Sequence, residues 1–278
     1  MSQRVIMVTG GSGAVGRILL GREPREGVLY RVLDPAPLPE ELAAREDIEQ
    51  VLGSVTDAAA VEAAATGATE VVHLGALSVE DTWESIVEVN ITGTRTVLEA
   101  AAKNGAKRFV FASSNHAVGF YTPDDAAGGF GDADHRLCDD VPARPDTYYG
   151  WSKAAGEEMV RLYCERSQMR GVAIRIGHCF PEPLTGPRLP VWLSPRDAVA
   201  LVDAALENEI EPFQIVWGVS DNTRGWTSLE GGRKIGFVPR DDSEEFAIRF
   251  PDDAEVVGDV PLGAHFVSVP LGEPMGVR

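Results

Sequence analysis

The sequence predicts an α/β fold, a doubly wound parallel sheet followed by a small, loop-rich C-terminal region that binds the substrate. Three observations predict it. Short apolar segments without polar alternation recur, which is typical of strands buried on both faces of a sheet. Helical patterns alternate with them through the first two-thirds of the chain, as crossover connections require. Glycines or polar residues follow most of these segments, at the edge where such sheets bind ligands.

The first strand and the turn after it predict a dinucleotide site. Residues 4–9 form an apolar run, and a turn with Gly10, Gly13 and Gly16 follows at once. Glycine permits the tight turn and lets backbone N–H groups approach a pyrophosphate at the start of the next helix, near Arg17. The alternative is a glycine-rich turn without a ligand.

An acidic residue at the end of the second strand favours NAD over NADP. Residues 29–33 read as that strand, and Asp34 ends it. A carboxylate about 20 residues after the glycines accepts hydrogen bonds from the adenosine ribose and repels a 2′-phosphate. The alternative for Asp34 is an ordinary turn residue.

The remaining elements follow the same alternation. Further strands are predicted at residues 49–54, 70–74, 107–112, 172–176 and 213–219. Helices are predicted at residues 83–102, 153–164 and 195–207, after the cap Thr56-Asp57, and in short form at 244–250; residues 38–46 read as a short acidic helix or a loop. Residues 122–145 read as a loop over the site, and residues 265–269 as a strand in a loop-rich tail. The chain is expected to be one unit, 1–278, with an NAD-binding core at about 1–177 and a substrate-binding part at about 178–278.

A tyrosine and a lysine four residues apart carry the predicted chemistry. Tyr149 and Lys153 begin a helical run, so the phenol and the ammonium share a helix face. A phenol has an ordinary pKa of about 10, and a fixed cation is the simplest means of favouring the phenolate. The pair predicts a general base, and the alternative is a half-buried tyrosine beside a surface lysine.

Composition excludes several other functions. The chain has 278 residues and a net charge of −18, which argues against a nucleic-acid partner. No apolar run approaches the length of a membrane span, and the N-terminus lacks the layout of a signal peptide. Three cysteines without metal-type spacing indicate reduced thiols, a cytoplasmic protein and no metal site.

Five ordered motifs resemble those of the extended short-chain dehydrogenases/reductases, also called the NAD-dependent epimerase/dehydratase family. They are Thr9–Gly16, His73–Ala76, Asn90–Thr94, Ser113-Ser114 and Tyr149–Lys153. Further segments are similar to bacterial uronate dehydrogenases: Leu77–Glu80, Ser113–Tyr121, Val141–Asp146, Arg175–Gly177, Pro181–Pro183 and Val216–Gly218. The resemblance implies a Rossmann-type fold, an NAD cofactor, a homo-oligomer, and oxidation of a hexuronic acid at C1 to an aldarolactone.

The resemblance also implies a role for each matching residue. Tyr149 is the general base, Lys153 holds the nicotinamide ribose and lowers the Tyr149 pKa, Ser114 binds the reacting oxygen, and Asn90 supports a proton relay. The implied cofactor residues are Gly10, Gly13, Ala14, Val15, Gly16, Asp34, Ser54, Val55, Leu74, Gly75, Ala76, Asn90, Tyr149, Lys153 and Ile176. The implied substrate residues are Ser78, Ser114, Asn115, His116, Tyr149, His178 and Arg188, with Arg188 pairing with the sugar carboxylate.

Two departures and several alternatives remain. His178 stands where the uronate enzymes have a small hydroxyl residue, and Ser54 replaces an acidic residue that contacts adenine. His116 is alternatively a packing histidine, and Arg188 a solvated loop residue. Alternative functions are a nucleotide-sugar epimerase or dehydratase, another NAD-dependent sugar dehydrogenase, or a non-catalytic NAD-sensing regulator. The short C-terminal region argues for a small substrate.

Overall fold

Seven parallel strands build the centre of the molecule. The computed structural model describes residues 3–132, 134–251 and 260–276 of the chain. The strands in these ranges are β1 (Arg4–Thr9), β2 (Val28–Asp34), β3 (Ile48–Leu52), β4 (Glu70–His73), β5 (Arg108–Ser114), β6 (Arg170–Ile176), β7 (His178–Cys179), β8 (Trp192–Leu193) and β9 (Phe213–Gly218). The sheet has the order β3-β2-β1-β4-β5-β6-β9, with every pairing parallel. The predicted Rossmann-type α/β fold is confirmed.

Helices lie on both faces of this sheet. The α-helices are α1 (Ala14–Leu20), α2 (Glu40–Ala43), α3 (Ala58–Ala65), α4 (Trp83–Ile86), α5 (Gly93–Lys103), α6 (Pro123–Asp125), α7 (Tyr148–Arg166), α8 (Pro195–Glu207) and α9 (Glu230–Lys234). Side chains of β1 alternate between two apolar clusters: Ile6 and Val8 pack with α1 and α8, and Met7 packs with α3, α5 and α7. Each fully buried aliphatic side chain of this kind contributes about 1.5–3 kcal/mol.

The predicted helix at residues 83–102 is helical but not uniform. A π-helical segment, Val87–Thr92, lies between α4 and α5. Such segments are rare and occur frequently at functional sites, because the extra residue in the turn redirects a side chain. Here the segment contains Asn90, one of the predicted catalytic residues, which is buried.

Residues after 177, which the sequence assigns to the substrate-binding part, also supply a strand of the central sheet and a helix beside it. The seventh strand, β9, and the helix α8 that packs beside it both follow residue 177. The sheet therefore extends past the predicted boundary of the NAD-binding core. The separation of binding roles at residue 177 stays a prediction.

The segment at residues 122–145 packs against the C-terminal part instead of lying free. It contains α6 and a π-helical turn, Ala126–Phe130. Leu137 and Val141 are buried in a cluster with Trp217 and Leu262. This small core joins the insertion to β9 and to the C-terminal segment.

The predicted strand at residues 265–269 is wrong. Ala264–Ser268 forms a 3₁₀ helix, in which Phe266 N donates to Gly263 O at 3.0 Å. Phe266 is buried in a cluster with Ile86 and Tyr149, away from the sheet. The backbone of this segment satisfies hydrogen bonds locally, within the 3₁₀ helix, instead of along a strand edge. Residues 252–259, also predicted as loop, lie outside the described ranges.

Candidate active site

The predicted tyrosine and lysine lie together at the carboxyl edge of the sheet. Helix α7 begins earlier than predicted, at Tyr148, because Thr147 caps it by accepting a hydrogen bond from Gly150 N at 3.0 Å. Tyr149 and Lys153 therefore stand one turn apart in regular helix. Lys153 Nζ lies 5.7 Å from the centre of the Tyr149 ring and donates to Ala112 O of β5 at 2.8 Å. Both side chains are buried.

Burial dominates the electrostatics of this pair. Desolvation raises the pKa of Tyr149 to about 12; a hydrogen bond with Ser114 opposes this shift, and the negative charge of Asp146 adds to it. Desolvation also lowers the pKa of Lys153 to about 8. Lys153 is not among the groups that shift the pKa of Tyr149, so the lowering of that pKa by Lys153 stays a prediction.

Three consecutive predicted residues lie where β5 ends: Ser114 is its last residue, and Asn115 and His116 begin a 3₁₀ turn, Asn115–Val118. Ser114 caps this turn by accepting a hydrogen bond from His116 N at 3.2 Å. Asn115 Nδ2 donates to Leu262 O at 2.6 Å, so its amide holds the C-terminal segment. His116 Nδ1 lies 2.6 Å from Asp146 Oδ2. The turn thus places the Ser114 hydroxyl and the His116 ring beside Tyr149.

Asn90 is buried and links the loop after β4 to helix α7. Its Nδ2 donates to Leu77 O at 3.0 Å and to Ser152 Oγ at 2.9 Å, and its Oδ1 accepts from Leu77 N at 2.8 Å. Ser152 Oγ in turn donates to Tyr149 O at 2.7 Å. These contacts fix the loop after β4 to α7. Its part in a proton relay stays a prediction.

The glycine turn has the geometry of a dinucleotide cradle. Gly10 has a φ of +73°, and a Cβ there would lie 2.8 Å from Gly75 N. A Cβ on Gly16 would lie 2.4 Å from Gly10 O, so this position needs glycine for close packing. Gly13 is exposed, and a Cβ there would meet only Gly10 O, at 3.3 Å. An open backbone face beside two tightly packed glycines fits a pyrophosphate.

Asp34 lies where the ribose of such a cofactor is expected. It is buried at the end of β2, and it accepts hydrogen bonds from Ser12 N at 2.9 Å and from Ala36 N at 2.8 Å. The carboxylate therefore also shapes the glycine turn. Each oxygen keeps a further acceptor position for a hydroxyl donor.

The other predicted cofactor residues surround the same edge. Val15, Leu74 and Ile176 line one apolar pocket with Ala112. Val55 is buried against Gly75, whose N donates to Thr9 Oγ1 at 2.9 Å. Ala14 begins α1, and Ala76 follows Gly75 in the loop after β4. Ser54 accepts hydrogen bonds from Thr56 N at 3.2 Å and from Thr56 Oγ1 at 2.9 Å. The residues present therefore fit NAD.

Two predicted substrate residues come from the segment that follows β6. His178 is buried in β7 and stacks on Phe180, with ring centres 4.5 Å apart, and its Nε2 is buried without a hydrogen-bond partner among the described residues. Desolvation and the positive charge of Arg188 lower the pKa of His178 to about 4.

Arg188 lies in a 3₁₀ turn, Gly186–Val191. Desolvation lowers its pKa, and the negative charge of Asp146 opposes that shift. Within the described residues, no hydrogen bond or ion pair engages its guanidinium. Ser78, by contrast, is exposed in the loop after β4.

Two buried carboxylates of the site were not predicted. Asp146 binds His116, and Glu80 accepts hydrogen bonds from Tyr149 N and Gly272 N, both at 2.8 Å. Phe266 was also missed; its ring centre lies 4.1 Å from that of His116. Phe266 lies in a segment read as a strand, and burial of the acids depends on contacts far apart in sequence.

A family model describes most of this chain. The model of the NAD-dependent epimerase/dehydratase family matches residues 6–227, a range that contains all the predicted site residues. The chain belongs to this family. The predicted family is confirmed.

Several proteins similar to this chain are dehydrogenases of uronates or of a sugar phosphate. A uronate dehydrogenase of Pseudomonas putida is 36% identical over 241 residues, which cover 87% of this chain and 85% of that protein. A mutant uronate dehydrogenase of Agrobacterium tumefaciens complexed with NAD is 34% identical, with a TM-score of 0.85 and coverage of 96% of this chain and 98% of that one. An NAD-dependent glucose-6-phosphate dehydrogenase of Haloferax volcanii is 36% identical over 87% of this chain and 95% of that protein.

None of the helices in the described ranges combines the length and apolarity needed to cross a bilayer. The same ranges hold no group of three or more metal-ligating side chains.

Proposed function

We propose that this protein is an NAD-dependent dehydrogenase that oxidises a hexuronic acid, galacturonate or glucuronate, at C1 to the aldarolactone. One observation carries the proposal: Tyr149, beside Ser114 and one turn from Lys153, and Arg188, a partly desolvated guanidinium that no described residue pairs, both feel the charge of the buried Asp146. Tyr149, Ser114 and Lys153 suit a reacting hydroxyl group. Arg188 suits a carboxylate, which a guanidinium binds in a bidentate manner.

Each residue has a defined task in this reaction. Tyr149 Oη takes the proton of the C1 hydroxyl, and the Ser114 hydroxyl holds the same oxygen. Lys153 binds the nicotinamide ribose, and the glycine turn and Asp34 bind the pyrophosphate and the adenosine ribose. Arg188 holds the carboxylate, with His178 beside it. When bound, NAD supplies the hydride acceptor and a positive ring charge, which favours the phenolate.

Burial of the base has a mechanistic consequence. A phenol whose pKa is about 12 without ligands gives little phenolate at neutral pH, so the free protein keeps its base protonated. A cation placed beside the phenol lowers that pKa, because an opposite charge is worth most where water is excluded. The base is therefore activated only in the assembled site.

Cofactor choice follows from Asp34. Its buried carboxylate would repel a 2′-phosphate, so NAD is proposed over NADP. The family's name and the NAD complex of an Agrobacterium relative agree with this cofactor. We also propose a cytoplasmic homo-oligomer without a nucleic-acid partner, on the basis of the unpaired cysteines, the −18 net charge and the family.

A phosphorylated aldose is the second candidate substrate, because the guanidinium of Arg188 also suits a phosphate and a Haloferax relative is a glucose-6-phosphate dehydrogenase. The experiment is a panel of galacturonate, glucuronate, glucose 6-phosphate and galactose, each with NAD and with NADP, followed by NADH absorbance. The proposal expects the uronates with NAD to give the highest kcat/KM. A higher kcat/KM for galactose or for glucose 6-phosphate would refute it. A tightly retained cofactor without net NADH production would favour the epimerase or dehydratase alternative. A Tyr149→Phe variant that keeps the full biological effect of the protein would favour the NAD-sensing alternative.

A further inference from the structure

Asp146 is a buried carboxylate for which the proposed mechanism has no task. It lies just before α7, and its side chain has 0% exposure. Glycines from three segments surround it: a Cβ on Gly119 or Gly263 would lie 2.0 Å from Oδ2, and one on Gly150 would lie 2.8 Å from Oδ1. Burial of a carboxylate is costly unless it is fully hydrogen-bonded. A chain that clears this much space around one acid therefore points to a specific contact.

The contacts of Asp146 identify which groups it holds. Its Oδ2 lies 2.6 Å from His116 Nδ1, and its Oδ1 accepts a hydrogen bond from Thr147 Oγ1 at 2.9 Å. The Thr147 oxygen already accepts a hydrogen bond from Gly150 N, so its own hydrogen is available for Asp146. The His116 ring is held between Phe266, at 4.1 Å between centres, and Tyr149, at 5.7 Å. The imidazole can therefore neither rotate nor exchange its partner easily.

A carboxylate that accepts from Nδ1 determines the chemistry of the other ring nitrogen. With the hydrogen on Nδ1, Nε2 carries a lone pair and accepts hydrogen bonds. None of the described residues hydrogen-bonds to Nε2, and it is not among the buried atoms that lack a partner. This nitrogen is thus left for a molecule bound beside Tyr149.

We propose that Asp146 is a positioning residue that holds His116 with its hydrogen on Nδ1, so that Nε2 accepts a hydrogen bond from a hydroxyl group of the bound sugar. For the identity of that sugar, the inference rests on the proposed function. It separates the tasks of the two basic residues. Arg188 takes the carboxylate, because a lone pair on Nε2 would repel a carboxylate oxygen, and His116 takes a neutral hydroxyl.

The first test reads the tautomer directly and needs no substrate. The protein is labelled with ¹⁵N-histidine, and two-bond nitrogen–hydrogen correlations are recorded for its five histidines. The His116→Gln variant assigns the resonances. We expect hydrogen on Nδ1 in the wild type and on Nε2 in Asp146→Asn, because the Thr147 hydroxyl keeps the amide oxygen and the amide NH₂ group then faces Nδ1. A wild-type His116 with its hydrogen on Nε2 would overturn the inference.

The second test separates positioning from a structural role. In Asp146→Asn, Nε2 carries the hydrogen and becomes a donor, and it then faces the sugar hydroxyl that donates to Nε2 in the wild type. Two donors cannot form a hydrogen bond, so KM for galacturonate should rise about tenfold to a hundredfold, with a smaller change in kcat. In a His116→Gln background, where the amide oxygen can accept in place of Nε2, Asp146→Asn should raise KM much less, by no more than about threefold, because only the effect of its charge on Arg188 and Tyr149 remains. A similar rise in both backgrounds would assign Asp146 a structural role only.

A third comparison covers the case in which Asp146→Asn does not fold. His116→Gln should keep KM within a few-fold of the wild type, and His116→Phe should raise it about tenfold or more, because only glutamine offers an acceptor. Equal KM values for the two variants would refute the hydroxyl contact. If the wild type oxidises no uronate, the proposed function fails and the sugar contact fails with it, whereas the ¹⁵N spectra still decide the role of Asp146.

Discussion

Glu157→Gln should destabilise the fold strongly without touching the reacting groups. Glu157 and Arg175 form a buried ion pair with side-chain exposures of 3% and 2%, joined by two contacts of 2.9 Å. Ser113 Oγ also donates to Glu157 at 2.5 Å. The remaining guanidinium nitrogen donates to Asp139 O at 3.0 Å and Val141 O at 3.2 Å, which fastens the insertion to β6.

The magnitude follows from leaving a buried guanidinium without its counter-charge. Breaking such a pair from one side costs about 3–5 kcal/mol. For a chain of this size, 1 kcal/mol lowers Tm by about 2–4 °C, so we expect a fall of about 10 °C. Differential scanning calorimetry measures it. Because Arg175 also holds the insertion, limited proteolysis should cut residues 134–142 faster in the variant.

A neighbour on the same helix provides the matched control. Glu158 is 67% exposed and pairs with Arg161 at 3.3 Å on the surface. Such pairs contribute at most about 1 kcal/mol, so Glu158→Gln should move Tm by no more than about 4 °C. Replacing both Glu157 and Arg175 with methionine should recover part of the loss, since no unpaired charge remains. Equal shifts for Glu157→Gln and Glu158→Gln would refute the reasoning.

Three further predictions concern the site. Arg188→Gln should raise KM for galacturonate at least about thirtyfold and leave kcat/KM for a neutral aldose unchanged, as initial rates would show; equal losses for both sugars would contradict carboxylate binding. Because the unfolded chain binds a proton at His178 below about pH 6.5 and the folded protein does so only below about pH 4, the free energy of unfolding should fall by about 3 kcal/mol as pH falls through that window. Urea unfolding of wild type and His178→Phe at pH 7 and pH 4.5 tests this, and an undiminished acid sensitivity in the variant would contradict it. Gly16→Ala should lower the free energy of unfolding by about 2–3 kcal/mol, because its Cβ would meet Gly10 O, whereas Gly13→Ala should fold normally and raise KM for NAD about tenfold. Calorimetry measures the stability of both variants, and NAD titration measures their cofactor binding. A larger loss of stability in Gly13→Ala than in Gly16→Ala would refute the prediction.

The elements of the sheet were accessible from sequence because their signals are local. A strand buried on both faces reads as an apolar run. The start of a helix is marked by capping residues, such as Ser194 and Pro195 at the start of α8. The C-terminal segment failed for the opposite reason. The alternation around Phe266 resembles a strand, but a strand exists only where an edge is free to pair, and that depends on how the whole chain packs.

The site shows the same division. Tyr149, Ser114 and the glycine turn were identified because their spacing and their place after strands are properties of the chain itself. Asp146 and Glu80 were not, because nothing local distinguishes a carboxylate that will be buried from one that will be solvated. Burial of Tyr149 was out of reach for a related reason: the spacing of the pair revealed the nearby cation but not the loss of water that raises the Tyr149 pKa.

The sequence alone determined the α/β class, the dinucleotide turn, the Tyr149–Lys153 pair and the family, since each depends on residues close together along the chain. Only the tertiary structure decided that β9 joins the sheet, that the C-terminal segment closes on His116, and that Asp146 is buried against its ring. Those features join residues up to about 150 positions apart. Hydration and pairing at such contacts depend on every element that packs around them, and no local pattern records that.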